Sequence, residues 1–194
     1  MPKGPLVGIT GPARSGKDTF AEFLRAYLGG TIYSMADPIR NMLRGIGIDM
    51  NDPYWQSRKE EPIPVFGKSP RELMQTLGTE WGRDQVNPQI WVILAHHFRM
   101  NDPNTALIVP DIRFENEARW IRDSGGLIVR IERDNLSTVK KHSSEAGIKV
   151  LPQDLVVKNN GTLEDLQVAA REVFYAIAEA RNNLYPTDPP TTPA

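Results

Sequence analysis

The chain has 194 residues, 40% hydrophobic and 24% charged, which suits one α/β domain with a single core. A formal net charge of −1 gives no overall electrostatic case for a nucleic-acid or membrane-surface partner. The absence of cysteine excludes disulfides, thiol catalysis and cysteine-ligated zinc, and is compatible with a reducing cytosol.

The first residues offer no secretory segment: only Leu6 to Thr10 separates the opening prolines from a glycine turn. No apolar run is long enough to span a bilayer, so the sequence reads as a soluble, cytoplasmic protein. Leu6–Thr10 is a short apolar run ending in a glycine loop, as a buried parallel strand should. Phe20, Phe23, Leu24 and Leu28 then recur at helical spacing until Gly29-Gly30 stops the helix. Thr31–Met35 reads as a second strand, and Asp37-Pro38 as a cap followed by a helix start. Residues 45–68, rich in glycine, proline and charge, read as a long loop or inserted flap.

Ser69-Pro-Arg-Glu72 is a capping box with proline at the first helical position, and Leu73, Leu77 and Trp81 line one side of the helix it opens. Asn87-Pro88 begins another helix, with Trp91, Val92, Leu94, Ala95 and Phe98 as its apolar residues. Ala106–Pro110 and Gly126–Ile131 are strand-like and flank a helical segment at about 115–124. Residues 133–149 are polar with little periodicity; Leu155–Val157 is a last strand, and Thr162 caps a long helix carrying Leu163, Leu166, Val173 and Ile177. Four prolines from Pro186 onward mark residues 186–194 as a disordered tail. Strands alternating with helices imply a parallel sheet covered on both faces, with ligands at the carboxyl ends of its strands.

Gly11-x-x-x-x-Gly16-Lys17 has the spacing of a P-loop and lies between a predicted strand and a predicted helix. Gly11, Ala13, Arg14, Ser15 and Gly16 are the backbone cradle for a nucleotide's phosphates; the helix N-terminus and Lys17 add positive charge. ATP is the expected donor. Asp18 stands where the pattern has Ser or Thr, and Thr19 follows, so magnesium falls to Thr19 directly or to Asp18 through water.

A kinase for a phosphorylated acceptor joins two polyanions and needs cations beyond that lysine. Arg40, Arg71, Arg83, Arg113, Arg130 and Arg133 lie near proposed strand ends or on polar helix faces, and arginine forks match phosphate oxygens in pairs. In Asp111-Ile-Arg113 the carboxylate suits magnesium and the guanidinium an acceptor phosphate. Arg71, Gln75 and Thr79 follow one another at spacing four, a row suited to hydrogen-bonding a base, sugar or phosphate, or to facing water. The stretch at 133–149, with His142-Ser-Ser-Glu145, has the character of a lid that excludes water from the transfer.

These residues resemble the bacteriophage deoxynucleoside monophosphate kinases, relatives of the adenylate kinase and dephospho-coenzyme A kinase type. The resemblance spans about residues 5–182 and rests on Gly11–Lys17, Ser34–Arg40, Arg71–Arg83, Pro110–Glu117, His142–Glu145 and Lys158–Gly161. It implies a three-layer P-loop kinase fold, with one kinase domain over 1–185, a helical acceptor-binding insertion at about 45–104 and a lid at about 133–149. It implies transfer of the ATP γ-phosphate to a deoxynucleoside monophosphate, with magnesium, small nucleotide substrates and often a homodimer. The acceptor region it points to holds Arg71, Gln75, Thr79, Glu80, Arg83 and Trp91, joined by Asp37, Arg40, Arg113, Glu117 and His142. Lys17, Asp111, Arg113, Arg130 and Arg133 are the expected catalytic set, and Asp18, Thr19 and Asp111 the magnesium candidates. Two alternatives stand beside this reading: a kinase for another small acceptor such as dephospho-coenzyme A, and a switch that binds ATP without transferring it.

Overall fold

Every residue of Leu6–Thr10 is buried, as a central strand covered on both faces requires. This run is β1 of the computed structural model, which describes residues 3–134 and 147–184. β1 pairs in parallel with β3 (Leu107–Val109) on one side and β4 (Leu127–Glu132) on the other. β2 (Thr31–Ile32) and β5 (Leu155–Lys158) complete an all-parallel sheet of order β2-β3-β1-β4-β5. The helices among the described residues are α1 (Lys17–Leu28), α2 (Asp37–Gly45), α3 (Pro53–Ser57), α4 (Pro70–Gln75), α5 (Ile90–Asn101), α6 (Glu115–Asp123) and α7 (Leu163–Leu184). A π-helical stretch, Thr76–Val86, continues α4. None of the described helices is long and apolar enough to cross a membrane.

The chain divides into two compact units. The sheet unit comprises the described residues of Met1–Ile32 and Asp102–Ala194, and the helical unit is Tyr33–Asn101. In the sheet unit, alternate β1 residues face opposite layers. Val7 and Ile9 join Phe20 and Leu24 of α1 and Leu166, Ala170, Val173 and Ile177 of α7 in one core. A Cβ on Gly8 would instead meet Ile121 of α6 and Ile128 of β4, so the second layer packs directly on the backbone there. The result is a three-layer α/β fold, as the alternation of elements implies. Each large side chain buried in these layers contributes roughly 1.5–3 kcal/mol.

In the helical unit, Leu43, Ile48 and Met50 form a small core on which Leu73 and Leu77 pack. The capping box at Ser69 forms as expected: its hydroxyl accepts the Glu72 N–H, and the Glu72 carboxylate accepts the Ser69 N–H (2.7 Å). Beyond Gln75 the winding departs from the expected α-helix. Gly78, Gly82 and Arg83 are the buried positions of the π-helical stretch, while Trp81 is only half-buried.

Trp91 of α5 accounts for that inversion. It is 1% exposed, its indole N–H donates to the Gly78 carbonyl (2.8 Å), and a Cβ on Gly82 would stand 2.5 Å from its ring. A side-chain donor occupying a helix carbonyl is one of the recognised causes of a departure from the i→i+4 ladder.

Four expectations are corrected. The second strand stops at Ile32 rather than Met35, because the Ser34 N–H goes to the Asp37 carboxylate (2.9 Å) and the Asp37 N–H to the Ser34 carbonyl (2.9 Å). Asp37 is therefore the first residue of α2, not its cap: it fastens the preceding turn, and Ala36 holds the cap position. The 45–68 stretch is not wholly loop. It contains α3, whose N–H at Tyr54 is capped by Asp52 (2.8 Å), and a bridge between Ile63 and Lys68. In α5, the expected apolar positions Leu94 and Phe98 stay 38% and 40% exposed, while Trp91, Val92, Ala95 and the charged Arg99 are buried.

Candidate active site

The glycines of the cradle are required by contact as well as by angle. Gly11 has φ +140°, and a Cβ there would lie 2.2 Å from the Ile131 carbonyl oxygen. Gly16, at φ +96°, caps α1 in the left-handed region, and its Cβ would meet the Asn159 amide nitrogen at 2.4 Å. Arg14 also takes a positive φ, 64°, so that the loop curls between the end of β1 and the start of α1. The Ser15 hydroxyl is fully buried with no hydrogen-bond partner among the described residues. A buried orphan hydroxyl beside a helix N-terminus, within a glycine loop too tight for side chains, suits an anionic oxygen. By that test the residues present fit a nucleotide's phosphates.

Lys17 lies folded over this loop. Its ammonium donates to the Gly11 (2.9 Å) and Pro12 (2.8 Å) carbonyls and stands 3.6 Å from Asp111 Oδ1, with only 9% of its side chain exposed. The other Asp111 oxygen accepts from Arg113, at 2.7 Å from Nε and 2.6 Å from Nη2. One carboxylate thus holds two cations at the carboxyl ends of the neighbouring strands β1 and β3.

Backbone bonds fix the spacing. Thr10 donates its hydroxyl to the Ile112 carbonyl (2.8 Å), and the Ile112 N–H donates to the Ile9 carbonyl (2.7 Å). Asp111 itself sits at φ +65°, an uncommon backbone region for a non-glycine residue and one that concentrates at functional sites. Glu117, buried in α6, accepts the N–H groups of Arg113 (2.8 Å) and Phe114 (3.2 Å), so it shapes the loop carrying Arg113.

Asp18 and Thr19 are exposed on the first turn of α1. Among the described residues no group of three or more histidine, aspartate or glutamate side chains gathers to hold a metal ion. Arg130 lies opposite Thr10 in the β1–β4 register and pairs with Glu132 (3.0 Å); Arg133 is exposed just past β4. His142 and most of the expected lid, residues 135–146, lie outside the described residues, as do residues 186–194 of the expected tail.

In the helical unit, Asp37 pairs with Arg40 (2.7 Å). Nearby, burial and then the Asp37 charge push the Tyr33 phenol up to about 12. Arg71 pairs with Glu60 (2.5 Å) and its backbone N–H donates to the Lys59 carbonyl, so the first residue of the row Arg71, Gln75 and Thr79, each half-buried, is tied to the preceding loop. Glu80 is exposed. Arg83 and Trp91 are interior: Arg83 donates to the Pro88 carbonyl (3.3 Å), and Trp91 is enclosed as described above.

One contributor carried no role in the sequence reading. Asn159, just past β5, donates its amide to the Ser15 carbonyl (2.8 Å) from 144 positions away. Its only sequence signal is membership of the Lys158–Gly161 motif, which has no recognisable phosphate-binding pattern of its own.

Comparison with known proteins places these features in context. Residues 67–169 match the family model described as deoxynucleotide monophosphate kinase. A relative from Acanthamoeba polyphaga mimivirus is 30% identical, over 82% of this chain and 91% of the relative. The deoxynucleotide monophosphate kinase of Enterobacteria phage T4 is 25% identical, over 83% of this chain and 95% of the phage protein. Among solved structures, a gluconokinase from Sinorhizobium meliloti shares the fold at a TM-score of 0.56, with 11% identity, covering 95% of this chain and 99% of the other.

Proposed function

The chain belongs to the deoxynucleotide monophosphate kinase family, and on that premise we propose that it transfers the γ-phosphate of ATP to a deoxynucleoside monophosphate. The products are a deoxynucleoside diphosphate and ADP. The observation that carries this reading is the Lys17–Asp111–Arg113 chain, two cations joined through one carboxylate at adjacent strand ends. Phosphoryl transfer between polyanions asks little covalent chemistry of the protein and much charge stabilisation and positioning. Cations on either side of one carboxylate meet that demand, one for each polyanion.

The roles follow from placement. Gly11, Ala13, Arg14 and Gly16 bind the donor phosphates through backbone N–H groups and Ser15 through its hydroxyl, its N–H being held by the Pro12 carbonyl (3.3 Å), and Lys17 neutralises them. To do so Lys17 exchanges its bonds to the Gly11 and Pro12 carbonyls for phosphate oxygens. Arg113 binds the acceptor phosphate, with Glu117 holding its loop. An acceptor phosphate oxygen attacks the γ-phosphorus in line, the bond to the bridging oxygen breaks, and ADP leaves. Arg130 and Arg133 are the candidates for covering the transferring group. Asp37, Arg40, Arg71, Gln75, Thr79 and Glu80 are the helical unit's candidates for the acceptor nucleotide, with Arg83 and Trp91 supporting their backbone from the unit's interior. Asp18, Thr19 and Asp111 are the candidate ligands of magnesium, which when bound neutralises phosphate charge.

Phosphorus NMR of a reaction containing the protein, ATP, magnesium and a deoxynucleoside monophosphate tests the reading. We expect the β-phosphate resonance of the deoxynucleoside diphosphate to grow in step with ADP. Release of inorganic phosphate alone would contradict it.

A further inference from the structure

We propose that Asn159 is a positioning residue for nucleotide binding: its amide fixes the Ser15–Gly16 peptide so that the Gly16 N–H is presented to the donor phosphates. This rests on the cradle being the ATP-phosphate site. The Asn159 side chain is buried, and its Nδ2 donates to the Ser15 carbonyl at 2.8 Å. A peptide unit is planar and, throughout the described chain, trans, so its carbonyl and its N–H point to opposite sides. Holding the Ser15 carbonyl on the Asn159 side therefore turns the Gly16 N–H the other way.

Asn159 is itself fixed. Its N–H donates to the Glu132 carbonyl (2.7 Å) at the end of β4, and its amide lies so close to Gly16 that no side chain fits between them. The left-handed Gly16 conformation and the carboxamide are thus two halves of one contact. A glycine loop has the freedom to present its carbonyls inward as readily as its N–H groups, and a carbonyl turned toward the cradle would repel phosphate oxygens. The element chosen to prevent this has to be a donor: a carboxylate of the same size at position 159 would set oxygen against the Ser15 carbonyl oxygen.

The test is binding of the non-hydrolysable analogue AMPPNP, measured by calorimetry on wild type, Asn159→Asp and Asn159→Ala, with the melting temperature of each free protein recorded alongside. We expect Asn159→Asp to bind AMPPNP at least tenfold more weakly than wild type at pH 8. Relative to wild type, its affinity should recover as pH falls toward 5, because burial against the Ser15 carbonyl oxygen raises the new carboxyl above the usual aspartate range and its protonated form restores a donor. Asn159→Ala should be weakened severalfold with no such recovery, and the KM for the acceptor should be unchanged in both. Should Asn159→Asp fail to fold, Asn159→Ala decides alone.

Wild-type affinity in a folded variant, or Asn159→Asp and Asn159→Ala keeping one ratio to wild type across pH, would overturn the assignment. If wild type itself binds no AMPPNP, the proposed function fails first and this inference with it.

Discussion

At the residue scale the cluster to test is Lys17, Asp111 and Arg113. Lys17 and Arg113 share one carboxylate yet are assigned to opposite substrates, which separates their variants. Lys17→Ala should lose about a hundredfold or more in turnover and weaken ATP binding, since it removes a charged phosphate contact. Arg113→Ala should lose turnover on the same scale while ATP affinity stays near wild type. A folded Arg113→Ala protein with near-normal turnover would remove that residue from the mechanism.

Both residues were legible in the sequence, because Gly11–Lys17 and Asp111–Arg113 are compact local patterns. Asn159 was not. Its importance lies in a contact to Ser15 across 144 positions, and nothing local distinguishes it from any asparagine in a turn.

A second residue-scale expectation concerns Tyr33. Its phenol ionises near pH 10 in the unfolded chain and near 12 when folded, through burial and the adjacent Asp37. Between those values the unfolded chain releases a proton that the folded protein keeps, so this group's contribution is complete below pH 10 and is lost as pH rises to 12. Denaturant unfolding should therefore show a larger drop in stability from pH 10 to 12 in wild type than in Tyr33→Phe. Equal drops would mean that the phenol is not protected.

At the scale of elements, the π-helical stretch Thr76–Val86 is where pattern reading stopped. The capping box at Ser69 announced the start of a helix, because a cap depends only on residues three apart. The change of winding depends on Trp91, which belongs to α5 and takes the Gly78 carbonyl. The spacing of apolar residues within 69–86 carries no trace of that partner, which is why it marks Trp81 as a core position and passes over Gly78 and Gly82. The same cause makes a prediction. Gly82→Ala places a methyl 2.5 Å from the Trp91 ring and 2.8 Å from the Leu77 carbonyl, although alanine has the higher helix propensity. Overpacking of this kind costs about 1–3 kcal/mol. Thermal unfolding should show Gly82→Ala less stable than wild type; an increase in stability would mean that intrinsic propensity outweighs the contact.

At the scale of the whole molecule, the parallel sheet was legible because apolar strands alternate with amphipathic helices along the chain. The second strand is shorter than its apolar pattern implies, since Tyr33 to Met35 has the character of a strand but Ser34 gives its N–H to Asp37. Strand order, which sets β1 between β3 and β4, follows from pairing across the chain and is not written in any one segment. That order brings Asp111 beside Lys17, and with it the charge arrangement on which the kinase reading rests.

The reading is tested most directly by coupled ADP release, with ATP and magnesium held constant and the acceptor varied among the deoxynucleoside monophosphates, dephospho-coenzyme A and no acceptor. We expect ADP to appear with at least one deoxynucleoside monophosphate and to fall to background with dephospho-coenzyme A or without acceptor. ADP release with dephospho-coenzyme A alone, or at one rate whatever the acceptor, would contradict a deoxynucleoside monophosphate kinase.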